Sequence, residues 1–371
     1  MKDQYGREIE YLRVSVTDRC NERCLYCMPE EGVPLVCHED VLTFDEILRL
    51  VRIAAGLGIH TVRLTGGEPL VRRGLPSLIE DMKRIDGINR VAMTTNGTLL
   101  KGSVNDLVSA GLDAVNISLD TCNPALYRRI TRTGRIEDAL AGLDAACSFP
   151  SVTTKIDCVM LGLPEQKLTD VASLAKDRRV HVRFIELMPI GSGKEAFLIE
   201  HDGPMQTARL GDPDSCLTCG GTAVSDHFRY VSLAELKERL EAVFGPMTYL
   251  GKWTLRAGGG EAGDEMLPVG YGPANYYKVE GFAGRIGMIG AVSSKFCHQC
   301  NRVRLTAQGF LKTCLQYDAG VDLRELLRSG GSDEELEAAM RRAISQKPKE
   351  HRFGQGEIAH EETKYMSAIG G

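Results

Sequence analysis

The chain carries Thr17-Asp18-Arg19-Cys20-Asn21-Glu22-Arg23-Cys24-Leu25-Tyr26-Cys27 directly after a predicted first strand at residues 11–17. Its cysteines stand in a CxxxCxxC pattern, which supplies three thiolates where a four-iron cluster ordinarily takes four. Three ligands leave one iron open to bind a small molecule, so the spacing predicts a catalytic iron-sulfur cluster. The alternative is a zinc knuckle or three buried thiols, although zinc sites usually bring a second ligand pair nearby.

Composition and charge limit the class of protein. The chain has 371 residues, of which 43% are hydrophobic and 26% charged, and this suits one large barrel-like domain with an appendage or two ordinary domains. A net charge of −5 gives no reason to expect a nucleic-acid or membrane surface. No run approaches the roughly 18 apolar residues of a membrane helix, so we expect a cytoplasmic protein. Because the cytoplasm keeps thiols reduced, the 12 cysteines favour metal ligation over disulfides.

Strand-like and helix-like segments alternate along the first half of the chain. Thr43 and Glu46 form a capping box that opens a helix, which Gly58 is expected to end. Further strands are predicted near residues 61–65, 90–94, 114–118, 153–159 and 180–186. Further helices are predicted near residues 75–85, 101–110, 136–147 and 165–175. Repeated strand-helix units predict an α/β fold in which six parallel strands form a partial barrel with helices outside.

Polar side chains recur at every second position of four of these strands. They are Arg13, Ser15, Thr17, Thr61, Arg63, Thr65, Asn116, Ser118, Asp120, Thr153, Lys155 and Asp157. Successive side chains of a strand point to opposite faces, so one face of the sheet packs on helices and the other lines a polar cavity. Edge strands that face water are the alternative.

Positive charge concentrates on this polar face. Arg13, Arg63 and Lys155 bring cations to it, and cations in a walled site need an anionic partner. Asp157 and Glu68 could neutralise some of them, so an ion-pair network is the alternative reading. The excess of cations favours a phosphorylated substrate.

A glycine-rich loop, Gly66-Gly67-Glu68-Pro69, follows the second strand. Paired glycines let the backbone approach a ligand closely, and the carboxylate can accept hydrogen bonds from an ammonium group. On its own, such a loop could equally be a tight turn.

A second cysteine triad lies in the C-terminal part. Cys297, Cys300 and Cys314 again supply three ligands with a possible open site, and a zinc site completed by His298 is the alternative. Arg302 and Arg304 are two residues apart, so in an extended segment both guanidinium groups point to one side, beside the triad. Their forked donors suit carboxylate, phosphate or purine acceptors.

With both triads in place, the chain resembles the radical S-adenosylmethionine enzymes, and within them the GTP-cyclising enzymes of molybdenum cofactor biosynthesis. The likeness rests on the first triad with Tyr26 before its third cysteine, the Gly-Gly-Glu-Pro loop, the second triad, the stretch 188–193 and the terminal Gly370-Gly371. It implies a lyase with a partial (β/α)6 TIM-like barrel, a C-terminal extension that carries a second cluster, two [4Fe-4S] clusters and S-adenosylmethionine. The implied reaction makes 3′,8-cyclo-7,8-dihydro-GTP, with a 5′-deoxyadenosyl radical taking the ribose C3′ hydrogen and the new radical attacking guanine C8.

The resemblance also implies residue roles. The cluster ligands would be Cys20, Cys24, Cys27, Cys297, Cys300 and Cys314. S-adenosylmethionine would be contacted by Tyr26, Gly67, Glu68, Ser118 and Met188. GTP would be contacted by Arg13, Arg63, Thr94, Lys155, Arg183, Arg302 and Arg304, although strand alternation leaves the face of Arg183 ambiguous. A direct part in catalysis would fall to Arg302, Arg304, Gly370 and Gly371.

The expected organisation is a radical S-adenosylmethionine barrel at residues 1–199, a variable insertion at 200–228, and a cluster- and GTP-binding region at 229–371. The insertion holds Cys216 and Cys219, for which a variable surface loop and a third metal or redox site both stay open. Thr61 stands where many relatives have lysine, so one phosphate contact is absent or comes from another cation.

The implied partners are a reductant such as flavodoxin or ferredoxin, and a downstream synthase that makes cyclic pyranopterin monophosphate. A homodimer is possible. Two other functions compete with the GTP cyclase: a peptide-modifying radical enzyme with an auxiliary cluster, and a non-enzymatic iron-sulfur electron carrier. A maturase usually has more C-terminal cysteines, and an electron carrier has no use for an open iron or a cationic cavity.

Overall fold

The structure is a computed structural model that describes residues 1–191, 228–252, 272–353 and 361–370. Three of the residues singled out above, Cys216, Cys219 and Gly371, lie outside this described part, as does nearly all of the expected insertion.

Strands and helices alternate through the first half of the chain. The strands are β1 Tyr11–Ser15, β2 Thr61–Thr65, β3 Arg90–Thr95, β4 Ala114–Ser118, β5 Thr153–Met160 and β6 His181–Glu186. The helices are α1 Phe44–Gly56, α2 Leu75–Lys83, α3 Val104–Ser109, α4 Pro124–Thr131, α5 Ile136–Cys147 and α6 Leu168–Asp177.

The described C-terminal part adds six further strands and four further helices. The strands are β7 Met247–Lys252, β8 Asn275–Val279, β9 Arg285–Ile289, β10 Arg302–Leu305, β11 Phe310–Lys312 and β12 Gly320–Asp322. The helices are α7 Leu233–Phe244, α8 Leu323–Arg328, α9 Asp333–Ser345 and α10 Met366–Ile369.

All twelve strands form one mixed sheet in the order β12-β11-β10-β1-β2-β3-β4-β5-β6-β9-β8-β7. Strands β1 to β6 are parallel neighbours in chain order, which confirms the predicted six-stranded core. C-terminal strands extend both sides, because β10 pairs parallel with β1 and β9 pairs parallel with β6. Among the described strands the sheet ends at β12 and β7 and does not close, as the expected partial barrel requires.

Most of the predicted elements agree with the structure. The bounds predicted for β2, β4 and α5 are those observed, and the α1 capping box is present, with Glu46 N donating to Thr43 Oγ1 at 3.1 Å. The predicted end of β1 at Thr17 is wrong: the strand ends at Ser15, because the Thr17 carbonyl turns to accept a 2.8 Å hydrogen bond from Gly67 N.

Sequence reasoning missed helix α4. Pro124 opens this helix in its first turn, and Asn123 caps it by accepting hydrogen bonds from Ala125 N at 2.9 Å and Leu126 N at 3.1 Å. Both signals are local and readable from the sequence.

The apolar side of the sheet forms the core. Leu12, Val14, Val62, Leu64 and Ile117 are buried with the inner faces of the helices, as the strand alternation predicted. Across the residues that the structure describes, we find no helix with the length and apolarity needed to span a membrane. Because one sheet contains strands from both halves of the chain, the boundaries at residues 199 and 229 stay predictions.

Candidate active site

The first cysteine triad occupies the loop that follows β1. Cys20, Cys24 and Cys27 are half-buried, and Cys27 N donates to the Cys24 carbonyl at 2.9 Å in a tight turn. Burial raises the pKa of the Cys20 thiol to about 12, and the neighbouring Cys27 thiol adds to the rise. Burial is the main cause of this rise, and the contribution of Cys27 indicates that the two thiols are close together.

A buried carboxylate, missed at the sequence level, supports this loop. Glu22 Oε1 accepts a 2.9 Å hydrogen bond from Tyr127 Oη on α4, and Oε2 accepts one from the Cys24 thiol at 3.8 Å. Its backbone N–H also points at Cys20 Sγ at 3.4 Å. Because α4 was not predicted, no sequence signal placed Tyr127 beside the triad.

The glycines of the Gly-Gly-Glu-Pro loop allow it to lie against the segment that leads to Cys20. Gly67 N donates to the Thr17 carbonyl and Glu68 N to the Arg19 carbonyl, each at 2.8 Å. A Cβ atom at Gly67 would lie 2.3 Å from the Arg19 carbonyl oxygen, so no other residue fits.

The Glu68 side chain points into the protein. It is 1% exposed and accepts hydrogen bonds from Thr95 Oγ1 at 2.7 Å, Asn96 N at 2.7 Å and Leu70 N at 3.0 Å. Burial raises the pKa of this carboxyl to about 7, although the three donors oppose the rise. Glu68 therefore ties the glycine loop to the end of β3.

Tyr26, Ser118 and Met188 come from three different parts of the fold. Tyr26 Oη donates to Asp120 Oδ2 at 2.8 Å, and Asp120 Oδ1 accepts from Val159 N at 2.7 Å, so the ring is fixed against β5. Ser118 ends β4, and Met188 follows β6 and packs against the buried cluster of Ile190, Phe353 and Ile369.

A row of arginines crosses the polar face of the sheet. Arg304 on β10, Arg13 on β1 and Arg63 on β2 occupy adjacent register positions, one strand apart. Arg63 Nη1 donates to Thr94 Oγ1 at 3.3 Å, and its Nε donates to the hydroxyl of Tyr11. Sequence reasoning did not single out Tyr11, although alternation puts it on the face of Arg13.

These like charges perturb one another. Burial lowers the pKa of Arg13 well below its ordinary value, and Arg304 lowers it further. Burial and Arg302 lower the pKa of Arg304 to about 10. Burial alone would raise the pKa of Tyr11, but Arg63 and Arg13 outweigh it and the net shift is downward. Burial is the largest cause of the arginine shifts, and the neighbouring cations add to it, which is a surrounding that favours a bound anion.

The row continues with Lys155 on β5 and Arg183 on β6. Arg183 Nε donates to Asp157 Oδ1 at 2.7 Å, so this arginine shares the polar face and is paired there. Lys155 is buried, and burial together with Arg183 lowers its pKa well below the ordinary value. Arg90 also depresses it. Strand periodicity puts Arg90 on the face of Thr94, and it pairs with Thr61 in the register, yet sequence reasoning overlooked it.

The second triad is more positive in its surroundings. Burial alone would raise the pKa of Cys300, but Lys347 and Arg302 outweigh it and bring the value down to about 7. The pKa of Cys297 is raised above its ordinary value, because burial and the thiols of Cys300 and Cys314 act together. His298, the candidate zinc ligand, is exposed.

The donor sets of the two triads fit iron-sulfur cubes. Each triad supplies three cysteine thiols, none of them in a disulfide. The thiolates of a cube bind separate irons, so three of them would leave one iron open. Within residues 1–191, 228–252, 272–353 and 361–370, no three His, Cys, Asp or Glu side chains converge closely enough to hold one metal ion.

The two triads lie at opposite ends of one pair of strands. Because β1 and β10 are parallel, the first triad follows the end of β1, whereas Cys300 precedes the start of β10. Cys314 follows β11, which runs antiparallel to β10, and so it returns to the end where Cys300 lies. Five residues of strand span about 16 Å, and the arginine row crosses the sheet at the middle residue of β1.

The C-terminal tail, residues 365–370, lies between the first triad and the arginine row. Arg304 Nη1 donates to the Gly370 carbonyl at 2.8 Å, and a Cβ at Gly370 would be 3.4 Å from the side chains of Ser15 and Thr65. The backbone amide of Ser367 bonds the Cys27 thiol, and Ile369 is fully buried. The tail thus contacts the first triad and the arginine row at once.

A buried ion pair holds the segment that leads into this tail. Lys312 on β11 bonds Glu362, and both side chains are almost completely inaccessible. We expect Glu362→Ala to lower the free energy of unfolding by about 3–5 kcal/mol, because Lys312 keeps a buried charge without its counterion. Urea unfolding of the cluster-loaded protein measures this. Glu361→Ala is the matched control, since its carboxylate is less buried; equal losses in both variants would contradict the assignment.

The other described cysteines form no further site. Cys37 is exposed, Cys122 and Cys147 are half-buried, and Cys158 is buried, where its thiol donates to the Asp120 carbonyl at 3.5 Å. Burial raises the pKa of Cys122 and of Cys147 to about 11, so both are protonated thiols at neutral pH.

Two protein families and several full-length relatives match this sequence. Residues 14–175 match the radical SAM superfamily, and residues 261–353 match the family described as Molybdenum Cofactor Synthesis C. The chain is 40% identical to the GTP 3′,8-cyclases of Heliobacterium modesticaldum and of Pelotomaculum thermopropionicum, with 100% of this chain and of each relative covered. Among solved structures, Streptococcus suis SuiB bound to its precursor peptide aligns with 50% of this chain and 40% of its own, at 17% identity and a TM-score of 0.40. By its full-length identity to these enzymes, the chain belongs to the GTP 3′,8-cyclase family of the radical SAM superfamily.

Proposed function

We propose that this chain converts GTP to 3′,8-cyclo-7,8-dihydro-GTP, the first step of molybdenum cofactor biosynthesis. The observation that carries the proposal is the row of buried cations between two three-thiol sites at opposite ends of the same strands. A triphosphate is the anion that such a row would stabilise, and two open irons could hold two different small molecules facing each other.

The chain's own residues would bind and orient GTP. Arg302 and Arg304 extend from β10 beside the second triad, where their forked donors suit guanine and the nearest phosphate. The phosphates would lie along the adjacent strands, on Arg13, Arg63, Thr94, Lys155 and Arg183. Arg90 is a suitable substitute for the lysine that the resemblance implies at position 61, because it pairs with Thr61 in the register and perturbs Lys155.

S-adenosylmethionine would lie at the first triad. Tyr26, held by Asp120, and Ser118 and Met188 would border it, while Gly67 would present backbone to its amino acid end. Glu68 would hold the loop in shape, since its three internal hydrogen bonds fix Gly67 against residues 17–19. When bound, the reduced cluster with S-adenosylmethionine supplies a 5′-deoxyadenosyl radical.

One incubation tests this function against its two competitors. Protein reconstituted with iron and sulfide is mixed anaerobically with GTP, S-adenosylmethionine and dithionite, and the nucleotides are analysed by mass spectrometry. We expect 5′-deoxyadenosine together with an isomer of GTP. Cleavage of S-adenosylmethionine with GTP left unchanged would favour a peptide-modifying enzyme, and no cleavage would favour an electron carrier.

Substitution of the two β10 arginines tests the GTP site. We expect Arg302→Ala and Arg304→Ala each to weaken GTP binding about ten- to hundredfold, because each removes charge-assisted hydrogen bonds worth about 1.5–3 kcal/mol. Uncoupled cleavage of S-adenosylmethionine should survive. Isothermal titration with GTP measures the effect, and Arg84→Ala, at an exposed arginine, is the control. Unchanged affinity for GTP in both β10 variants would show that GTP does not bind at this end of the cavity.

The remaining assignments concern partners. We propose a low-potential flavodoxin or ferredoxin as the electron donor, and a synthase that converts the product to cyclic pyranopterin monophosphate. We place the reaction in the cytoplasm and leave a homodimer as a possible assembly; sedimentation of the reconstituted protein tests the latter.

A further inference from the structure

Two buried cations from distant parts of the chain hold the backbone that carries the second triad. Arg7 lies in the N-terminal segment before β1, and Lys347 follows α9. Arg7 is 6% exposed and Lys347 is 3% exposed. Such deep burial is unusual for charged side chains. Neither residue belongs to the arginine row of the polar face.

Arg7 ties the first cysteine of the triad to the segment after α9. Its Nη1 donates to the Cys297 carbonyl and to the Lys349 carbonyl, both at 2.9 Å, and its Nη2 donates to the Pro348 carbonyl at 2.7 Å. Its Nε donates to Asp3 Oδ2 at 2.6 Å, so Asp3 fixes the guanidinium in place.

Lys347 holds the other two parts of the triad together. Its Nζ donates to the carbonyl of Arg302, two residues after Cys300, at 2.9 Å. It also donates to the carbonyl of Thr313, the residue before Cys314. One ammonium group therefore fixes the separation of two cysteine-bearing segments, while Arg7 fixes the third.

We propose that Arg7 and Lys347 are positioning residues for the second iron-sulfur cluster, which set the spacing of its three thiolates and balance its negative charge. This rests on the proposed assignment of Cys297, Cys300 and Cys314 as the ligands. A cube with three thiolates carries net negative charge and gains more on reduction, so buried cations beside it favour the reduced form. Groups that orient metal ligands from behind are commonly as important as the ligands.

Lys347→Met tests the proposal, with Lys347→Arg as the charge-conserving variant and Lys349→Met, at an exposed lysine, as the matched control. We expect Lys347→Met to lose at least half of the second cluster's iron. In the molecules that keep the cluster, its midpoint potential in an EPR redox titration should be more negative. Lys347→Arg should restore the potential, and Lys349→Met should leave both quantities unchanged.

Arg7→Lys tests the other half, because lysine can keep the ion pair with Asp3 but cannot bridge three carbonyls in fork geometry. We expect partial loss of the second cluster with the first retained, which uncoupled cleavage of S-adenosylmethionine reports. Full iron and an unshifted potential in both Lys347→Met and Arg7→Lys would overturn the proposal. Cys300→Ser distinguishes a failure of this proposal from a failure of the ligand assignment. If Cys300→Ser also keeps the second cluster, the ligand assignment itself is wrong.

Discussion

Cys24→Ser is expected to abolish reductive cleavage of S-adenosylmethionine while leaving the second cluster in place. The substitution removes one of the three thiolates proposed to hold this cluster, so the cube would not be held with a defined open iron. The second triad lies at the other end of β1 and β10. Iron should therefore fall from about eight to about four per chain.

Two measurements check this expectation together. Iron analysis with EPR counts the clusters, and chromatography of 5′-deoxyadenosine measures cleavage after dithionite reduction. Cys37→Ser is the matched control, because Cys37 is an exposed thiol nearby in the chain. The first-triad assignment would be falsified if Cys24→Ser retained cleavage.

Local patterns predicted the sheet and most of its polar face. Strand alternation put Arg13, Arg63 and Lys155 on one face, and the structure places them there because a period of two cannot change sides without a bulge. It left Arg183 ambiguous, because the apolar Ile185 shares its face and Glu186 does not, whereas the hydrogen bond of Arg183 to Asp157 depends on β5 lying beside β6. Register between strands is a tertiary property that one strand's sequence does not contain.

Contacts between distant segments could not be predicted at all. Glu22 meets Tyr127 from 105 positions away, and Arg7 meets Cys297 from 290 positions away. The first contact depends on α4, and the second depends on the approach of the N-terminal segment to the segment before β10. No local periodicity encodes either of them. The proposed cysteine ligands could be identified from their close spacing in the sequence, whereas the residues that contact their segments are free to come from anywhere in the chain.

Removal of Gly370 and Gly371 is expected to leave both clusters intact and to reduce cyclised product by more than about tenfold. Chain ends are ordinarily dispensable. Here the Gly370 carbonyl accepts a hydrogen bond from Arg304, whose guanidinium stands in the row proposed to bind GTP. Loss of this bond frees Arg304 to reorient, and a charge-assisted bond of about 1.5–3 kcal/mol corresponds to a ten- to hundredfold effect. Gly371 itself lies outside the described residues.

The measurement compares truncated and full-length protein under anaerobic conditions, with cyclised product and 5′-deoxyadenosine quantified in the same sample. We expect 5′-deoxyadenosine to persist while product falls, because the first triad keeps its ligands and Ser367 remains. Gly370→Ala and Gly330→Ala form a matched pair, since φ is +72° at Gly370 and +88° at Gly330, so alanine is strained at both. No atom stands within 4 Å of a Cβ at Gly330, whereas Gly370 faces Ser15 and Thr65. Loss of product in Gly370→Ala alone places the effect in the site rather than in backbone strain; full turnover by the truncated protein would make the tail an ordinary terminus.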